Sequence, residues 1–143
     1  MTSELKFIYV DNSNIDALKF FLIALGTGKK YFRYFENRNL DVMSNHIVTL
    51  LLMNDLMPVA YGHLDEENGK VWLGTATAEN MQGNGYGKMM IKRLLSEAQK
   101  KNIDTIHLTV DHENVKAQSL YKKFGFVFSE KKEIYSIYTL QLK

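Results

Sequence analysis

The spacing of apolar positions changes several times along the chain, and each change marks an element. Residues 5–10 are a short apolar run closed by Asp11-Asn12-Ser13-Asn14, which predicts a first strand. Asn14 is placed to cap a helix, because Ile15, Leu18, Phe21, Leu22 and Leu25 recur at helical spacing until Gly26 and Gly28. The aromatic stretch Tyr31-Phe32-Arg33-Tyr34-Phe35 fits neither period. It reads as a second short helix, or as a loop running to a helical turn near residues 40–44.

Residues 46–53 form an unbroken β-rich run, and Asn54-Asp55 offers a tight turn before Pro58. A strand over 59–64, a turn over 65–69 and a strand over 70–78 complete an antiparallel meander. The period then becomes helical: Tyr86, Met90, Leu94 and Ala98 fall four apart within 85–101, predicting a long amphipathic helix. Ile106, Leu108 and Val110 share one face of a strand over 105–110. Asn114 can cap the next helix, where Ala117, Leu120, Tyr121 and Phe124 lie at i, i+3, i+4 and i+7 before Gly125. Strands over 126–129 and 134–142 end the chain. The expected fold is α/β, a mixed sheet of about seven strands with about four helices on its faces. The helical crossover makes the strands at 70–78 and 105–110 parallel.

A chain of 143 residues, 45% hydrophobic and 12% aromatic, has the content of one domain spanning 1–143. The formal charge of +2 is only mildly basic and the lysines are scattered, which argues against nucleic acid as a partner while allowing a local anion site. With no Cys, a disulfide framework, a Cys-ligated metal and a Cys nucleophile are excluded together. His46, His63, His107 and His112 form no spaced ligand motif, so no metal is expected. No apolar run approaches a membrane span or a signal peptide, and the expected location is the cytoplasm.

The chemistry points to Gln82-Gly83-Asn84-Gly85-Tyr86-Gly87-Lys88, which lies between a strand and a long helix. Glycines there let the backbone turn and approach a ligand closely. The first N–H groups of the helix have no internal partner and suit a phosphate or diphosphate. Two other phosphate loops fit poorly. A dinucleotide fingerprint needs a third Gly where Lys88 stands, and a P-loop needs Gly at Gln82 and Ser or Thr at Met89.

Gln82-x-x-Gly85-x-Gly87 resembles the diphosphate-binding motif of the Gcn5-related N-acetyltransferases. Asn114-x-x-Ala117-x-x-Leu120-Tyr121-x-x-Phe124-Gly125-Phe126 resembles that family's second signature. The element order is similar over nearly the whole chain. This resemblance implies an acyl-CoA N-acyltransferase fold, acetyl-CoA as co-substrate without a metal, and a small-molecule amine as acceptor. It further implies that the backbone of residues 83–88 holds the CoA diphosphate, that Thr77 pairs with the pantetheine arm, that Asn114 hydrogen-bonds the cofactor, and that Tyr121 lies near the sulfur. A homodimer is a family-level expectation. Each position also has a plain structural reading: Asn114 as a helix cap, Tyr121 as a buried core tyrosine.

Direct attack of an amine on a thioester needs a proton acceptor for the amine and a donor for the departing thiolate. Tyr121 suits the donor, because a phenol and a thiol have similar pKa values. The residues 71–78 lack the carboxylate that many relatives carry there. His63, assisted by Asp65 on the same strand face, is the first candidate base, ahead of Glu79 and His107; a structural strand histidine is the plainer reading. Tyr31, Arg33 and Asp65 are candidates for the acceptor site, with Arg38 beside the aromatic-basic segment. Two non-enzymatic readings compete, an acyl-CoA sensor and a nucleotide-binding regulatory domain.

Overall fold

The computed structural model describes residues 4–26, 32, 34–35 and 38–143. Its seven strands form one sheet in the order β1-β2-β3-β4-β5-β7-β6. These are β1 (Leu5–Tyr9), β2 (His46–Asn54), β3 (Met57–Glu67), β4 (Lys70–Thr77), β5 (Thr105–Asp111), β6 (Val127–Lys131) and β7 (Tyr135–Gln141). The α-helices among the described residues are α1 (Ile15–Ala24), α2 (Tyr86–Lys100) and α3 (Val115–Lys123), with 3-10 segments at Leu40–Asn45 and Glu79–Met81. The mixed sheet with helices on its faces is the architecture that the apolar periodicity predicts.

Local chemistry accounts for the differences in detail. The strand expected to stop at residue 64 runs on to Glu67, and the turn shrinks to Asn68 and Gly69 with φ of 54° and 79°. Two consecutive positive φ values make the tight hairpin whose twist matches its strands, so Glu66 and Glu67 pair with Val71 and Lys70. Asn14 stands at the start of α1, but its side chain does not cap the helix. Its Oδ1 accepts from the Asp11 N–H at 2.8 Å and its Nδ2 donates to the Tyr9 carbonyl at 2.9 Å, tying β1 to the turn instead.

Each sheet face has its own apolar cluster. Met90, Ile91, Leu94 and Ala98 of α2 pack with Leu50, Leu52, Ala60, Leu64, Leu108 and Tyr121. Leu18, Phe21 and Leu25 pack on Leu51, Met53 and Tyr61 on the other face. Gly62 makes the first contact close, since a Cβ there would meet Met90 Sδ at 2.5 Å. Glu97 of α2 is buried on a polar network: it accepts from Tyr9 Oη at 2.9 Å and from Arg93 Nε at 3.2 Å.

The feature that positions the site is the junction of β4 and β5. The two strands are parallel, as the crossover predicts, but they pair only at Val71↔Ile106 and Trp72↔His107. Beyond Trp72 they diverge. From Leu73 to Thr77, β4 keeps its antiparallel partners on β3 and has no partner on β5, leaving a wedge-shaped gap between two parallel strands.

Candidate active site

The gap leads to the glycine loop. Gly83 and Gly85 have φ of 85° and 79°, a left-handed backbone that L side chains rarely adopt, and open space where each Cβ would stand. Gly85 occupies the cap position of α2, where it has no side chain to satisfy the helix's first N–H groups. Among the described residues, no protein acceptor takes the N–H groups of residues 83 to 88. Asn84 instead uses its side chain to brace the loop, donating from Nδ2 to the Met81 carbonyl at 3.0 Å. Six donors without a protein acceptor and the positive end of a 15-residue helix thus lie within one short segment, which suits a diphosphate.

The other residues predicted to bind a cofactor lie on β4, on the loop and on the starts of α2 and α3. A Cβ on Gly87 would lie 3.5 Å from Thr77 Oγ1, so the start of α2 sits against the end of β4. Gln82 and Lys88 are exposed, whereas Tyr86 is half-buried against the α2 core. Asn114 is farther along, at the start of α3. Its Oδ1 accepts from the Ala117 N–H at 3.3 Å, so it acts as the helix cap of the plain reading.

Tyr121 points into the gap region from α3. Its hydroxyl is 3.2 Å from Thr75 Oγ1, its ring packs edge-on to Phe126 at 5.8 Å, and burial pushes its phenol up from the ordinary range. It therefore holds its proton at neutral pH, as a donor must.

His63 lies on the opposite face. Its register partner is Gly74 of β4, while the next residue, Thr75, points toward Tyr121. Acid and base candidates therefore flank β4 from its two sides. His63 belongs to β3, but the missing Cβ of Gly74 lets its ring lie over the neighbouring strand: a Cβ would stand 2.6 Å from Cε1 and 2.8 Å from Nε2. The ring is buried, and Nδ1 is 2.7 Å from Tyr61 Oη. Burial, then the fields of His46 and Arg38, hold its pKa well below the ordinary imidazole value, so it is neutral. A neutral imidazole accepts at Nε2 only when Nδ1–H donates to the Tyr61 oxygen.

Around His63 is a cluster that linear spacing hid. His46 stacks on it with ring centroids 4.5 Å apart, and Tyr34 lies at 4.3 Å. Tyr34 Oη is 2.7 Å from His46 Nε2 and donates to Asp65 Oδ2 at 3.1 Å. His46 Nδ1 is 2.8 Å from Thr49 Oγ1. Burial, then Arg38, lowers the pKa of His46 to about 4; burial raises the carboxyl of Asp65. A shift in the β2–β3 register between His46 and Val48 is the cause. Without it, His46 would share the α2-facing side with Val48 and Leu50; the extra residue turns it onto the face of His63. Arg38 stacks over the Tyr34 ring at 4.4 Å and bonds the Tyr34 carbonyl, which keeps this segment in place.

Among the weaker base candidates, His107 stands on Trp72 at 5.3 Å, where the gap begins, and Glu79 lies in the 3-10 turn before the glycine loop. Tyr31 and Arg33 lie outside the described residues. No helix among the described residues is long and apolar enough to cross a membrane.

Known proteins share this fold. The structure superposes on the GNAT domain of S. lividans PAT with a TM-score of 0.83 at 13% identity, covering 96% of this chain and 90% of that one. It superposes on yncA of Salmonella typhimurium, solved with its cofactor acetyl-CoA, with a TM-score of 0.77 at 14% identity, covering 99% and 95%. At this identity the likeness speaks for the fold. A spermine/spermidine N(1)-acetyltransferase of Bacillus subtilis (strain 168) is 39% identical over 67 residues, 46% of this chain and 44% of that enzyme. The match therefore spans less than half the length of that relative. Residues 28–126 match the acetyltransferase (GNAT) family, which is most of the chain. With the family's fold, a splayed strand pair and an unpaired amide loop at its mouth, the chain belongs to the GNAT family of acetyltransferases.

Proposed function

We propose that this chain, acting as one catalytic domain, transfers an acetyl group from acetyl-CoA to the primary amine of a small molecule. The observation that carries the reading is the gap between β4 and β5 opening onto the unpaired N–H groups of residues 83–88. Acetyl-CoA supplies an activated thioester. The protein's own residues supply everything else.

The amides of Gly83, Asn84, Gly85, Tyr86, Gly87 and Lys88 hold the diphosphate, with Gln82 at the loop's entrance. The free edge of β4 as far as Thr77 pairs with the amide-bearing arm. Asn114, whose cap uses only Oδ1, offers Nδ2 to the same ligand. The neutral amine attacks the thioester carbonyl directly, so no protein nucleophile is required. His63 Nε2 takes the proton that the amine loses, and Tyr121 Oη gives a proton to the departing sulfur. Their positions on opposite sides of β4 suit these two transfers. The low basicity of His63 makes it a weak acceptor that is always in the neutral form.

Asp65 and Glu67 alternate on the face of His63 and favour a cationic acceptor. Together with the activity named for the Bacillus relative, they make a polyamine the first acceptor to try, ahead of amino sugars and amino acids. The test is release of free thiol from acetyl-CoA against a panel of such amines, beside calorimetry with acetyl-CoA, CoA, NAD and ATP. Tight binding of CoA alone, with no turnover on any amine, would favour the sensor reading, whose support is the absence of a carboxylate from β4.

A further inference from the structure

We propose that His46, His63 and Asp65 form a site for one divalent transition-metal ion of the Zn2+ type, on the α1-facing side of the sheet and apart from the glycine loop. One ligand atom from each residue lies within 4.8 Å of the other two. Two imidazoles and a carboxylate make a donor set that zinc accepts with three protein ligands and an open fourth position.

The second observation is how the two rings are held. Metal-bound histidines anchor the ring nitrogen that does not bind the metal, which fixes tautomer and orientation. Both rings here have that anchor at Nδ1: Tyr61 Oη at 2.7 Å for His63 and Thr49 Oγ1 at 2.8 Å for His46. With Nδ1–H donated to Tyr61, the Nε2 lone pair of His63 is left for a ligand. At His46 the Tyr34 hydroxyl, which donates to Asp65, accepts from Nε2–H, so a metal there requires that proton to move to Nδ1, where Thr49 Oγ1 accepts it. The stacking of the rings at 4.5 Å, the Gly74 seat under His63 and the register shift that turns His46 inward build this geometry from the backbone.

Tyr34 occupies part of the space, with its hydroxyl between His46 Nε2 and Asp65 Oδ2. It must swing aside, or its oxygen becomes the fourth ligand. Zinc bonds of about 2.0–2.1 Å in a tetrahedron set ligand atoms roughly 3.3 Å apart, so the three groups draw in by about 1 Å. The site does not depend on acetyl transfer, although His63 serves both readings. The metal uses the Nε2 lone pair that proton removal needs, so bound zinc inhibits transfer if His63 is the base.

The experiment is calorimetric titration of the chelator-stripped full chain with ZnCl2, without acetyl-CoA or amine, together with the visible spectrum on adding Co2+. The expected result is one ion per chain, with affinity lowered about tenfold or more in both D65N and H46A, and unchanged in H112A. His112 is a fair control because it pairs with Ser136 elsewhere on the sheet. Circular dichroism and urea melts confirm folding. If H46A does not fold, the nearly isosteric D65N decides. No saturable binding to the wild type, or equal binding by folded D65N, overturns the site. Neither result bears on acetyl-CoA turnover, so the two readings fail separately.

Discussion

Replacing Gly74 with alanine puts a methyl group where the His63 ring lies. The added Cβ would stand 2.6 Å from Cε1 and 2.8 Å from Nε2. Ordinary carbon contacts begin near 3.5 Å, so the ring must retreat by nearly 1 Å. It has little room, being held by Tyr61 at 2.7 Å and packed against both His46 and Tyr34, which also touch each other. Overpacking of this kind costs about 1–3 kcal/mol. Loss of backbone freedom in the unfolded chain returns about 0.4–1 kcal/mol. The net expectation is a destabilisation of about 1–2 kcal/mol, read as a lower urea midpoint. The same displacement takes Nε2 from its place beside the gap, and misplacing a catalytic group by 1 Å costs on the order of 10²-fold in turnover. The KM for acetyl-CoA should barely change, because the loop at 83–88 is untouched. Steady-state rates and denaturation together decide. Wild-type stability would refute the claim that Gly74 seats the ring, and a destabilised variant with full kcat would remove His63 from the reaction.

Three further changes test other parts of the site. Tyr121→Phe removes the 3.2 Å contact with Thr75 and costs only about 1 kcal/mol of stability, yet turnover should fall by about 10²–10⁴-fold with CoA affinity nearly intact; stopped-flow rates and calorimetry separate the two. Gly85→Ala meets open protein space, so its φ of 79° should cost about 1–2 kcal/mol in a urea melt, while CoA binding weakens further as the methyl stands where the diphosphate approaches. Tyr9→Phe removes a bond to the buried Glu97 carboxylate and should destabilise by about 1.5–3 kcal/mol at pH 7. Although burial opposes it, bonding to Tyr9 and Arg93 holds the Glu97 carboxyl below the usual glutamate range. A depressed folded pKa gives stability that is present above the unfolded value and is lost as pH falls through the folded one. The gap between wild type and Tyr9→Phe should therefore narrow in acid, and a constant gap from pH 7 downward would refute this account.

The loop and the helices were legible in the sequence because they rest on local rules. Alternate glycines between a strand and an amphipathic run predict an open amide loop whatever surrounds it, and φ of 85° and 79° at Gly83 and Gly85 bears this out. The Asn114 cap and the four-residue spacing of Tyr86, Met90, Leu94 and Ala98 are equally local. The crossover order implied parallel strands at 70–78 and 105–110. How far they stay paired was decided in three dimensions: pairing ends after Trp72↔His107, and no periodicity along the chain records that point.

Of the surroundings of His63, only Asp65, two residues on along the same strand face, was legible in the sequence. His46 lies 17 positions before His63 and, by strict alternation along β2, points away from it; one extra residue in the β2–β3 register reverses that direction. A sequence records no such shift, since it arises from competition between two strands for hydrogen bonds and buried faces. Gly74 likewise reads as a gap in an otherwise regular strand until the ring it seats is seen. Backbone chemistry along the chain thus determines where an anion can be held, whereas the convergence of His46, His63, Asp65 and Tyr34 belongs to the tertiary structure. Side chains from separate strands meet only after the sheet has chosen its register.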